Sequence, residues 1–124
     1  MNDRQRLGRA AEAAAARHLE RQGYRVLARN ERVGRGELDL IVRRGPVLAF
    51  VEVKARRTRG CGTPEEAVTV HKQRQVERLA ELWLAARPWM LRGVEEVRLD
   101  VVAVDLSGTA ASVRHLPSAF ARGW

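Results

Sequence analysis

A chain of 124 residues is about one domain long and can bury roughly two-thirds of the surface its unfolded form exposes, so a real core is available. Its 45% hydrophobic and 31% charged residues exclude a disordered chain; with no apolar run near membrane-span length and a start, MNDRQRLGRA, too polar for a signal peptide, they predict a soluble, cytoplasmic protein with no membrane partner. The net charge of +8 and pI near 11.2 point to a polyanionic partner, while the single cysteine, Cys61, excludes an internal disulfide and is expected to be a passive loop thiol.

The first predicted element is a helix over residues 3–22, with Asp3 as N-cap, an alanine-rich body and Gly23 as the C′ stop. Leu7, Ala11, Ala15 and Leu19 form its apolar stripe, and Glu12 lies along the border of that stripe. Tyr24–Ala28 reads as a short strand, followed by a basic, glycine-containing loop from Arg29 to Gly36. Leu38–Val42 and Val47–Ala55 read as strands joined through Arg44, Gly45 and Pro46, and Arg56–Gly62 is a loop rich in arginine and glycine.

The stretch TPEEAVTVHKQRQVERLAELWLAARP opens with a capping box of Thr63, Pro64 and Glu66, and Val76, Leu79, Ala80 and Trp83 recur at helical spacing until Pro88. The β-branched run Val68, Thr69, Val70 allows a break here, with Thr69 capping the main helix. Leu82 and Leu84 lie off the stripe and predict an exposed patch, hence a homodimer surface. A strand over Leu99–Leu106 and a weak one over Val113–Leu116 complete a single domain over residues 1–124. The order helix-strand-strand-strand-helix-strand(-strand) is that of an α/β fold, a mixed sheet flanked by helices.

Four charges interrupt the two central strands: Glu37, Asp39, Glu52 and Lys54. If these strands form a hairpin around residues 44–47, Ile41 faces Phe50, Arg43 faces Leu48, Asp39 faces Glu52 and Glu37 faces Lys54. The opposite face then reads Leu38, Leu40, Val42, Val47, Ala49, Val51, Val53, without a polar residue, and slipping the register by one would drive Asp39 onto it. Two facing carboxylates repel, and burial raises the pKa of at least one. A hard divalent cation, Mg²⁺ or Mn²⁺, would satisfy them, with Asp39, Glu52 and the Val53 carbonyl as ligands and Lys54 beside them to assist a water or a phosphate. An exposed ion-pair cluster, with Lys54 neutralising Glu37 or Glu52, satisfies the same pattern.

Of the 23 basic residues 21 are arginines, and the two lysines are Lys54 and Lys72. Arg32 and Arg35 precede the acidic strand and Arg56, Arg57 and Arg59 follow Lys54, a positive rim that a negatively charged site needs before a phosphate backbone can approach. Lys72 opens the second helix, where a cation and backbone donors suit a phosphate. The three histidines lack zinc-ligand spacing, and 5% aromatic residues give no stacking platform for single-stranded bases.

GELDLI followed by FVEVKAR resembles the YraN-like family of bacterial proteins, which is similar to RecB-type nucleases and archaeal Holliday-junction resolvases. The resemblance runs through GRAAEAAAARHLERQGYRVLARN, HKQRQVERLAELWL, RLDVVAV and SAF. It implies a restriction-endonuclease-like core in which Asp39 matches the acidic strand position, Glu52 and Lys54 match E-x-K, and Glu12 matches an additional acid. Leu38 stands where many such nucleases have proline. The resemblance further implies a metal-dependent nuclease-like protein acting on DNA, branched or damaged. The alternatives are a nucleic-acid-binding accessory protein that keeps the fold without useful catalysis, and a basic scaffold for a protein partner.

Overall fold

The computed structural model describes residues 2–56 and 69–119. Helix α1 (Asp3–Arg21) begins at the predicted cap residue, and its cap lies one residue earlier. Asn2, not Asp3, is the N-cap: its side chain accepts the Gln5 N–H at 2.8 Å while the Gln5 side chain accepts the Asn2 N–H at 3.1 Å. This reciprocal bonding leaves Asp3 in the first turn, where its charge suits the helix dipole. Gly23 ends the helix as predicted, with a φ of +92° that favours glycine.

Strand β1 (Arg25–Val33) pairs antiparallel with β2 (Gly36–Arg44), and β2 with β3 (Val47–Arg56). The predicted basic loop is therefore mostly strand. Only Gly34 and Arg35 turn the chain, and the backbone of residues 29–33 finds its partners in β2. The run RNERV masks a strand because β1 is the sheet's edge, where charged side chains cover an open ladder. After the undescribed segment 57–68, α2 (Val70–Ala85) leads through a 3₁₀ turn (Pro88–Leu91) to β4 (Glu96–Asp105), which runs parallel to β3. Strand β5 (Ser112–Leu116) closes the order β1-β2-β3-β4-β5, antiparallel to β4.

Thr69 caps α2, its Oγ1 accepting the Lys72 N–H at 3.2 Å, whereas the expected box at Thr63, Pro64 and Glu66, like Cys61, lies outside the described residues. The result is an α/β fold, a five-stranded mixed sheet with a helix on each face. On one face α1 buries Ala11, Ala14, Ala15, Ala16 and Leu19 against Leu40, Val42, Ala49, Val51, Val102 and Val104. Small alanines let the helix lie close to the sheet. On the other face α2 packs Val76, Leu79, Ala80 and Trp83 over Ile41, Leu48, Phe50, Leu99 and Val101.

Two packing expectations are corrected. Leu38 belongs to the α2-side cluster, not to the face of Leu40. Leu84 also packs against that cluster, so of the proposed patch only Leu82, 52% exposed, faces outward. Gly36 allows α2 to press on the start of β2, since a Cβ there would stand 2.6 Å from Leu79 Cδ1. No described helix is long and apolar enough to cross a membrane.

Candidate functional site

The central hairpin has the predicted register from Arg44–Val47 through Ile41–Phe50 to Leu40–Val51. One step further the regular ladder stops. Asp39 Oδ2 accepts the Val53 backbone N–H at 2.8 Å, so a short acidic side chain takes the place of a main-chain partner between the two strands. Asp39 and Glu52 are thereby brought together, but by side-chain wedging and not as the ladder pair expected from the register.

Glu52 is buried at 5% exposure and stands within the field of the Asp39 carboxyl. Burial first, and then the Asp39 charge, push the Glu52 carboxyl up to about 7, against the opposing pull of Lys72 and Lys54. Lys54 Nζ lies 3.6 Å from Glu52 Oε1, and Lys72 Nζ lies 3.5 Å from the same oxygen. Lys54 is two residues along the same strand, while Lys72 projects from the first turn of α2. Both lysines of the chain therefore converge on one atom. Glu37, one of the two candidate partners of Lys54, is exposed, and the ion pair is with Glu52.

Glu12 approaches from α1, half-buried. Burial holds its carboxyl above the usual range, a hydrogen bond with Asn30 opposes this, and the charges of Asp39 and Glu37 push further upward. Glu12 thus stands within the field of Asp39. Among the described residues, however, no three histidine, cysteine, aspartate or glutamate side chains are gathered closely enough to hold a metal ion. Asn30, not anticipated from the sequence, has a φ of +49°, a conformation asparagine tolerates better than most residues. An asparagine flanked by charges in the predicted loop was the available signal.

Among the expected rim residues, Arg32 sits in β1 opposite Glu37, Arg35 is exposed in the adjoining turn, and Arg56 is half-buried at the end of β3. Arg57 and Arg59 lie outside the described residues. Arg43 and Arg44 serve the fold instead: Arg43 Nη2 donates to the Arg92 carbonyl at 3.0 Å, and Arg44 lies over the Tyr24 ring.

A second polar cluster escaped the sequence reading. Asp100, fully buried in β4, receives Arg98 Nη2 at 2.9 Å, His115 Nε2 at 2.8 Å and the Ser118 N–H at 2.9 Å. Arg98 also donates to the Tyr24 hydroxyl, and the other His115 ring nitrogen meets the Gln22 amide at 3.2 Å. Burial alone would raise the Asp100 carboxyl, but the bonds from His115, Ser118 and Arg98 outweigh it and hold it below the usual range. The signal was the pair Arg98 and Asp100, opposite charges two apart on the face that also carries Val102 and Val104.

The model of the uncharacterised protein family UPF0102 matches residues 11–104, a span that includes Glu12, Asp39, Glu52, Lys54 and Lys72. The chain is 46% identical over 123 residues to a UPF0102 protein of Nocardia farcinica, covering 97% of this chain and 93% of the relative. A UPF0102 protein of Syntrophotalea carbinolica is 47% identical over 119 residues, covering 95% and 94%. Among solved structures, Pyrococcus furiosus SfsA in complex with Ca²⁺ aligns with a TM-score of 0.41 at 16% identity, over 93% of this chain and 64% of that one.

Proposed function

This chain belongs to the uncharacterised protein family UPF0102, and we propose that it is a metal-dependent, nuclease-like protein that hydrolyses phosphodiester bonds in DNA. The observation that carries the reading is the buried Glu52 carboxyl, set against half-buried Asp39, with both lysines on a single Glu52 oxygen. A structural salt bridge requires no second carboxylate pressed against the first. A cation site does.

The residues fit a hard divalent ion. Mg²⁺ is commonly held by one or two carboxylates, with water and substrate phosphate completing the shell. Asp39, Glu52 and the Val53 carbonyl would hold Mg²⁺ or Mn²⁺, which would supply Lewis acidity at the phosphodiester. In the hydrolysis a water oxygen forms the new bond to phosphorus while one P–O ester bond breaks, and the proton that the water gives up ends on the departing alcohol oxygen. Lys54 steadies that water and offsets the charge growing on the phosphate oxygens. Glu12, tethered by Asn30, supports the site from α1. Arg32, Arg35 and Arg56 would form a rim that counters repulsion between the acids and an approaching backbone. Branched or damaged DNA is the substrate expected from the resolvase resemblance.

Titration with Mn²⁺ tests this reading: the wild type should bind, and a protein carrying both Asp39→Ala and Glu52→Ala should not. Binding that is unchanged in the double variant contradicts it. The accessory reading rests on the neutralisation of Glu52 by lysines, which lets the acids stand without a metal. It predicts DNA binding without cleavage.

A further inference from the structure

The arginine bias of this chain makes its two lysines informative. The chain uses arginine 21 times and lysine twice, and the two lysines meet at Glu52 Oε1, at 3.6 and 3.5 Å. Guanidinium is a planar fork that locks bidentately onto a carboxylate, whereas an ammonium is a compact point charge on a flexible stem with three rotatable donors. Selecting lysine at both positions suits a contact that must be released. The two differ in the element that carries them, not in exposure, at 30% for the Lys54 side chain and 33% for that of Lys72. Lys54 is tied to β3, the strand that also carries Glu52. Lys72 belongs to α2, about one-third exposed at its side chain, on a first turn whose backbone donors lack an acidic neighbour.

We propose that Lys72 is a substrate-positioning residue that exchanges partners: it holds Glu52 while the site lacks a divalent ion, and moves to a DNA phosphate when the ion takes that oxygen. The inference rests on the metal-dependent reading above and adds to it a residue that couples ion binding to DNA binding. Two positive groups compete for Glu52 Oε1, so an arriving divalent ion makes three, and the one displaced is Lys72, which does not share the strand of Glu52. The expelled ammonium remains beside the start of α2, where a phosphate oxygen finds both it and the positive end of the helix dipole.

The test compares wild type with Lys72→Met, which keeps the stem, and Lys72→Arg, which keeps the charge. Folding of each is verified by thermal unfolding. Mn²⁺ affinity is measured without DNA, and the affinity for a short duplex is measured with Ca²⁺ and without any divalent ion. Relief from competition should tighten Mn²⁺ binding to Lys72→Met roughly three- to tenfold, for loss of one partly exposed ion pair. The same variant should lose about tenfold in DNA affinity with Ca²⁺ present and little without it, while Lys72→Arg, clamped on Glu52, should bind Mn²⁺ more weakly than wild type. A bystander cation would weaken DNA binding equally in both conditions, and that result overturns the proposal, as does unchanged or weaker Mn²⁺ binding by Lys72→Met. If neither wild type nor Lys72→Met binds Mn²⁺, the metal-dependent reading itself fails and this inference falls with it.

Discussion

Glu52 concentrates the chemistry of the site in one carboxyl. Burial and the neighbouring Asp39 bring it to about 7 from an ordinary 4.5, so between those values the folded chain binds a proton that the unfolded chain has released. A folded value above the unfolded one stabilises the fold fully below pH 4.5, and that contribution is lost as the pH rises through about 7. Urea unfolding of the metal-free protein across this range should therefore show stability falling with pH. Glu52→Gln should flatten the profile and be the more stable protein above pH 7, by as much as about 3 kcal/mol. Parallel profiles for the two proteins would contradict the assignment. The identities of Asp39, Glu52 and Lys54 were legible because charges inside an apolar alternation announce themselves. The approach of Lys72 was not, since it depends on how α2 lies over the sheet, and Asn30 was hidden because a hydrogen bond across 18 positions leaves no periodic trace.

At the level of elements, the central hairpin was readable to its register because Gly45 and Pro46 fix the turn and a one-residue slip would bury a charge. Its far end was not: the Asp39 carboxylate replaces a ladder bond, and Leu38 packs on the α2 side instead of beside Leu40. The edge strand β1 and the Asp100 cluster were missed for a common reason, that charges in a strand look like loop or surface until a partner element is known. Asp100 joins β4 to β5, to the turn at Ser118 and, through Arg98 and Tyr24, to the exit of α1. Asp100→Asn would leave Arg98 buried without its counter-charge, at a cost of about 3–5 kcal/mol. Chemical denaturation should report that loss at neutral pH and a smaller difference in strong acid, because a depressed carboxyl stabilises the fold above its ordinary range and loses that contribution as the pH falls through its folded value. A loss below 1 kcal/mol at neutral pH would mean that the cluster does not hold these elements together.

Across the whole molecule, a net charge of +8 surrounds a small acidic fork, and the two are complementary if the partner is a polyanion cut at a cation site. The α/β architecture sets that fork where β2 and β3 diverge, between a helix on each face: α1 contributes Glu12 and α2 contributes Lys72. Element order and the two-faced core were legible in hydrophobic spacing, whereas the meeting of helix residues at the fork is a tertiary fact with no local signature. The most direct measurement is cleavage of labelled linear, flapped and four-way DNA in Mg²⁺ or Mn²⁺ by wild type, Asp39→Ala, Glu52→Ala and Lys54→Ala. The account predicts cleavage by the wild type, loss of at least about a hundredfold in each variant with DNA binding retained, and a preference among the three substrates. Salt-sensitive binding with no cleavage of any substrate, or cleavage that survives all three substitutions, would contradict it.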